Sequence, residues 1–179
     1  MSAAARLALA GLVVYVPMLI EARRAATHER AQFARGGIEP AGDVYAVMRL
    51  AYPLAFAVML IEAALTGAAA PFAAGLVLFA ASKAIKWWAI VTLGPFWTFR
   101  VIVLPGASLV AAGPYRFLRH PNYVAVVGEL VGAALMTGAR LAGPLATVLF
   151  CALMLRRVQV ENRALLLARN PAKAGSHKG

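Results

Sequence analysis

The sequence predicts an all-α integral membrane protein with about five transmembrane helices, the last two forming a hairpin. Two observations carry this. Hydrophobic residues make up 62% of the chain and charged ones only 14%, more apolar than a soluble domain needs. The apolar residues also fall in long runs, with the charges gathered between them and near their ends.

The first run, from about Ala3 to Ile20, contains only Arg6, which is close enough to the end to snorkel to water. No small-residue cleavage site precedes the next charges, so the run reads as a retained helix. Residues 21–43 interleave Glu21, Glu29, Glu39 and Asp43 with four arginines, and Gly36-Gly37 and Pro40 break them up. They read as a solvated loop that begins as an extension of the first helix. A second run, about Val44 to Leu65, carries Arg49 near one end and Glu62 near the other. Thr66-Gly67 and Pro71 then make a short turn.

The third run, about Pro71 to Leu93, holds Lys83, Lys86, Trp87 and Trp88. Lysine and tryptophan together read as an interfacial anchor. Residues 94–120 are divided by Gly94-Pro95, Pro105-Gly106 and Gly113-Pro114 into pieces too short to span. Two shorter runs, Pro121 to Met136 and Leu141 to Leu155, are joined by Thr137-Gly138-Ala139-Arg140 and predict a tight hairpin. A basic helical stretch follows to about Arg169. The chain thus divides into an N-terminal three-helix membrane region (1–93), a hinge with hairpin and closing helix (94–169), and a polar tail (170–179), whose composition predicts disorder.

Charge gives orientation. Arg23, Arg24, Arg30 and Arg35, then Arg100, Arg116 and Arg119, then the C-terminal arginines and lysines all fall on one side of this layout. Arg6 and Arg140 fall on the other. The positive-inside tendency makes the richly basic side cytoplasmic, which in a bacterium means the inner membrane. An excess of 18 Lys and Arg over 7 Asp and Glu then reflects orientation and contact with anionic headgroups, not nucleic-acid binding. The single cysteine, Cys151, lies in an apolar run and reads as a packing residue. No metal-ligand pattern is present.

The chemistry is expected at the basic hinge 113–123. Pro121 suits the first position of a helix, since its backbone angle is already helical and its missing N–H would have no partner there. The first free N–H groups of that helix, with Arg116, Arg119 and His120, make an anion site on the cytosolic side. Glu129, about two turns further in, is a carboxylate inside a membrane helix, so it needs a partner or a proton. Arg49, Lys83 or Lys86 could supply the partner.

Leu93-Gly94-Pro95-Phe96-Trp97-Thr98, Gly113-Pro114-Tyr115, Arg119-His120-Pro121-Asn122-Tyr123 and Arg157-Val158-Gln159-Val160-Glu161-Asn162 together resemble the isoprenylcysteine carboxyl methyltransferase family over about the C-terminal half. The resemblance implies a membrane enzyme that takes S-adenosylmethionine from the cytosol and methylates a lipophilic acceptor from the bilayer. It nominates Tyr115, Arg119, His120, Pro121, Tyr123 and Glu161 around the cofactor. The chain departs from the family pattern at Asn162, where a second glutamate is common, and at Ala125, where glycine is frequent. These departures bear on a prenylcysteine acceptor more than on the cofactor. The Tyr15-x-Pro17 and Glu161-Asn162-Arg163 elements are similar to bacterial members that methylate the acidic hydroxyl of alkylpyrones.

Such a cofactor needs a cation or helix N-terminus for its carboxylate, a carboxylate for its ammonium and an aromatic slot for its adenine. Arg119 with the N–H groups after Pro121, then Glu161, then Tyr115 or Tyr123 meet these needs. An acidic acceptor is already ionised at neutral pH and needs no base. Arg163 or Arg100 is expected to hold it, with Glu129 a further catalytic or network candidate. An amine acceptor, as in phospholipid N-methylation, would need His120 or Glu129 as base. The rivals are an NADPH-dependent sterol-type reductase, which resembles this chain at His120-Pro121-Asn122-Tyr123, and a non-catalytic scaffold.

Overall fold

A computed structural model describes residues 2–107 and 110–169, with side chains described as far as residue 164. The tail assigned to 170–179 lies outside the described residues. Five helices follow one another: α1 (Ala3–Ala34), α2 (Tyr45–Thr66), α3 (Phe72–Leu93), α4 (Pro121–Thr137) and α5 (Ala142–Arg169). No strand occurs among the described residues, only an isolated antiparallel bridge between Ile38 and Val103. All five helices contribute to one core, through Val14, Phe56, Phe79, Leu130 and Phe150 in chain order.

Four helices, all but α4, are long and apolar enough to cross a membrane. This refines the five-span expectation. With 17 residues α4 is short, at roughly 25 Å, yet nine of those residues are buried, so it is the helix that the others enclose. It begins at Pro121 and ends in a left-handed Gly138, as its proline and glycine dictate.

Small residues let α4 lie almost backbone to backbone on α3. A Cβ at Gly75 would fall 2.3 Å from the Met136 nitrogen, and one at Gly132 would fall 2.7 Å from that of Phe79. A lipid-facing bundle gains little from the hydrophobic effect between helices, so close van der Waals contact across such a seam supplies the cohesion. At the hairpin end Glu62 accepts hydrogen bonds from the backbone of Leu141 (3.0 Å) and Ala142 (2.6 Å). It thereby caps the start of α5.

Two expectations are corrected by the packing. Helix α1 runs unbroken to Ala34, and Glu21 is fully buried inside the bundle instead of opening a solvated loop. Lys83 and Lys86 are not interfacial anchors. Lys83 lies 2.8 Å from Glu21 and 3.0 Å from Glu129, while Lys86 lies 2.8 Å and 3.4 Å from the same two carboxylates. Two acids from α1 and α4 neutralise two bases from α3, which removes the need for either lysine to reach water. Tyr52 of α2 adds a short hydrogen bond to Glu129. Of the partners foreseen for Glu129, both lysines are used, and Arg49 is exposed.

Candidate active site

The segments predicted to share one side of the membrane meet at one end of the bundle. His28 donates to the Trp97 carbonyl (2.8 Å) and Gln32 to that of Pro95 (2.9 Å), which docks the end of α1 on the segment after α3. Three consecutive N–H groups of that segment are then taken by acids. Glu29 accepts from Phe99 and Arg100, both at 3.2 Å, and Asp43 from Val101 at 3.0 Å. The Ile38–Val103 bridge extends this clasp through two 2.9 Å hydrogen bonds.

Beneath the clasp lies a cavity of about 690 Å³, within the usual range for a small-molecule site. One wall is apolar, with Leu93, Phe96, Trp97, Val101, Ile102 and Val103. The other is polar, with Tyr115, Arg119, His120, Asn122 and Tyr123 from the hinge and the head of α4, and Arg157, Glu161 and Asn162 from α5. Helix α5 can supply these because its 28 residues extend roughly 42 Å, beyond the ~30 Å hydrocarbon core.

The hinge and α5 are tied together at Tyr123, whose hydroxyl donates to Glu161 Oε2 (3.1 Å) and accepts from Arg157 Nε (3.0 Å). The His120 ring stacks on Tyr123 with centroids 5.3 Å apart, and its Nδ1 lies 3.8 Å from Glu161 Oε2. The other Glu161 oxygen has no partner among the described residues. Asn122 Oδ1 is buried and also lacks one. Burial, followed by the nearby Glu161 charge, holds the Tyr115 phenol above its ordinary value, so it faces the cavity as a neutral ring.

Of the nine residues nominated from the sequence, Tyr115, Arg119, His120, Tyr123, Glu161 and Arg100 line this cavity. Pro121 is buried at the head of α4 and sets its direction. Glu129 does not reach the cavity; it lies about two turns, ~12 Å, further along α4 within the charge cluster. Arg163, two residues past Glu161 and so on the far side of α5, is exposed and outside the lining. Arg100 is committed elsewhere. Its Nη1 reaches both Glu39 oxygens (3.0 and 2.8 Å), and its Nε lies 3.5 Å from Glu29. Burial works against its charge, but Glu39 first and then Glu29 outweigh that and hold the guanidinium above its ordinary value.

Arg157 and Asp43 were not foreseen. The four-residue spacing of Arg157 and Glu161 suggests an ordinary helix-surface pair, whereas Arg157 is buried and turns to Tyr123 and to Asp43, 3.3 Å from its Nη1. Buried arginine at a helical position is the signal that sequence alone does not give.

Four helices long and apolar enough to cross a membrane, with a cavity of polar, aromatic and apolar lining at one end of the bundle, define an integral membrane protein. The profile of the isoprenylcysteine carboxyl methyltransferase (ICMT) family matches residues 73–167, just over half of the chain, and the chain belongs to this family of membrane methyltransferases. It is 33% identical over 81 residues to the uncharacterized protein YpbQ of Bacillus subtilis (strain 168), covering 45% of this chain and 48% of that protein. The chain thus spans about half the length of that relative. An uncharacterized protein of Haemophilus influenzae (strain ATCC 51907) is 23% identical over 141 residues, covering 77% of this chain and 82% of its own. No solved structure matches the chain.

Proposed function

We propose that the protein is an S-adenosylmethionine-dependent methyltransferase of the bacterial cytoplasmic membrane. Its cavity opens to the cytosol, and its acceptor is a lipophilic acid, either a carboxylate or an acidic hydroxyl as in isoprenylcysteine-like or alkylpyrone compounds. The observation that carries this reading is the Tyr123–Glu161 hydrogen bond, which joins the two family segments around one cavity.

The residues fit the cofactor. Glu161 has one carboxylate oxygen without a partner among the described residues, open to an ammonium or hydroxyl donor, and buried Asn122 Oδ1 offers a second acceptor that nothing in the described chain uses. Arg119 lines the cavity without an ion-pair partner among the described residues, so it is available to a carboxylate; at the start of α4 the Tyr123 and Val124 N–H groups already donate to the His120 carbonyl, which leaves the Asn122 N–H as the backbone donor there. Tyr115 and Trp97 supply faces for an adenine. When bound, the cofactor supplies an electrophilic methyl group on a positive sulfonium.

The chain's own work is to hold, orient and dry. Attack by an anionic oxygen on a sulfonium cancels two charges, so exclusion of water by the apolar wall favours the reaction. Fixing the two reactants at one distance supplies much of the rest. A carboxylate or acidic hydroxyl arrives ionised, and no side chain has to remove a proton.

The test is transfer of radiolabel from S-adenosyl-[methyl-³H]methionine by purified protein in liposomes, with a prenylcysteine and a long-chain alkylpyrone offered separately. Label extracted into organic solvent is expected, released by mild base for a methyl ester and resistant for an enol ether. Label resting on phosphatidylethanolamine would replace the acidic acceptor with an amine. Oxidation of NADPH coupled to reduction of a double bond in an added sterol, without methyl transfer, would overturn the reading.

A further inference from the structure

Asp43 lies in the connection between α1 and α2, outside the segment matched by the family profile, yet it is bonded to two residues of the cavity lining, Val101 and Arg157. Its side chain is 3% exposed. Oδ2 accepts from the Val101 backbone (3.0 Å), and Oδ1 accepts from Tyr45 N (3.1 Å) and faces Arg157 Nη1 (3.3 Å). From Arg157 the contacts continue without a gap to the Tyr123 hydroxyl (3.0 Å) and on to Glu161 Oε2 (3.1 Å).

The direction of each hydrogen bond is fixed. A guanidinium only donates and a carboxylate only accepts. Arg157 Nε therefore occupies a lone pair of the Tyr123 oxygen, which leaves the phenolic proton for Glu161. That anchors one carboxylate oxygen and leaves the other for a ligand. Asp43 holds the far end of the Arg157 fork and balances its charge. Without it, a buried arginine would have Glu161 as its strongest nearby attractor and would compete for the carboxylate that the ligand needs.

We infer that Asp43 is a positioning residue for the cavity: it aims Arg157 at Tyr123 and so keeps the Glu161 carboxylate oriented towards, and available to, a cationic or hydroxylic donor of the bound ligand. This rests on reading the cavity as the cofactor site.

Two measurements separate this role from a purely structural one. The first is calorimetric titration of detergent-purified protein with S-adenosylhomocysteine. Asp43→Asn is expected to weaken binding about tenfold, the effect of losing one charged hydrogen bond. In an Arg157→Met background the same change is expected to cost less than threefold, because its route to Glu161 is already cut. Equal losses in both backgrounds would show that Asp43 acts through Val101 instead, and an unchanged affinity in Asp43→Asn would remove the role altogether.

The second needs no ligand, and its wild-type and Tyr123→Phe arms do not require Asp43→Asn to fold. The Arg157 Nε–H resonance, identified by its absence in Arg157→Lys, is expected to be protected from solvent exchange in the wild type and in Asp43→Glu, and to lose protection in Asp43→Asn and Tyr123→Phe. If it is unprotected in the wild type, the chain of contacts fails. Should wild-type protein show a protected Arg157 signal but no binding of S-adenosylhomocysteine, the cofactor reading falls while the Asp43–Arg157–Tyr123 linkage stands.

Discussion

Lys86 Nζ stands 2.8 Å from Glu21 Oε2, and both side chains are almost completely enclosed, at 3% and 0% exposure. With Lys83 and Glu129 they form a neutral quartet, so each charge is tolerable only because the other three are present. Lys86→Met leaves two carboxylates with one ammonium and is expected to lower stability by about 3–5 kcal/mol, the usual cost of removing one partner from a buried pair. Adding Glu21→Gln restores neutrality and should recover a substantial part. Thermal unfolding in detergent reads both variants. Additive losses would mean that the quartet does not act as a unit.

The α3–α4 seam makes a steric prediction. Gly132→Leu forces a side chain against the Phe79 backbone, which cannot move away as a side-chain tip could. A loss at or above the upper end of the ~1–3 kcal/mol overpacking range is expected, seen as reduced yield of monodisperse protein. Gly128→Ala meets mainly the Ser82 hydroxyl, which can rotate, and should be milder.

Arg100 tests whether a cavity-lining cation is free for substrate. Because Glu39 and Glu29 already match it, Arg100→Ala and Glu39→Gln should destabilise alike. Their coupling is small, about 0.2–1 kcal/mol, since the Arg100 and Glu39 side chains are 34% and 31% exposed. A double-mutant cycle by thermal unfolding measures this. A tenfold rise in acceptor KM for Arg100→Ala, with stability unchanged, would instead return Arg100 to acceptor binding.

Tyr115 gives a pH dependence. Its phenol is held above the ordinary value, chiefly by burial and secondly by Glu161. Its contribution to stability is therefore fully present below the unfolded pKa of about 10. Above that, the unfolded chain releases a proton that the folded one keeps, so stability falls as pH rises. Tyr115→Phe should flatten the decline of melting temperature above pH ~10 and leave it unaltered near neutrality.

Much of the architecture was legible because it follows from local chemistry. Pro121 opens α4, Gly138 closes it, and hydropathy locates four long helices. The hinge residues cluster because five of them lie within nine positions of one another. The rest depends on which face of a helix turns towards which neighbour, and hydropathy does not report that. Lys83 and Lys86 beside two tryptophans have the composition of an interfacial anchor, and the acids that bury them come from 62 and 43 residues away. Asp43 and Arg157 are 114 residues apart, with no repeat or spacing to connect them. Gly128 and Gly132, by contrast, sit four residues apart on α4 and were open to discovery as a packing face.

The first measurement to make is calorimetric titration of detergent-purified wild-type protein with S-adenosylhomocysteine, beside Arg119→Ala and Glu161→Ala and with NADPH as a competing ligand. Saturable one-site binding of the nucleoside, weakened at least tenfold by each substitution and unaffected by NADPH, is the expected result. Binding of NADPH in its place, or wild-type affinity in both variants, would contradict the assignment of this cavity to the methyl donor.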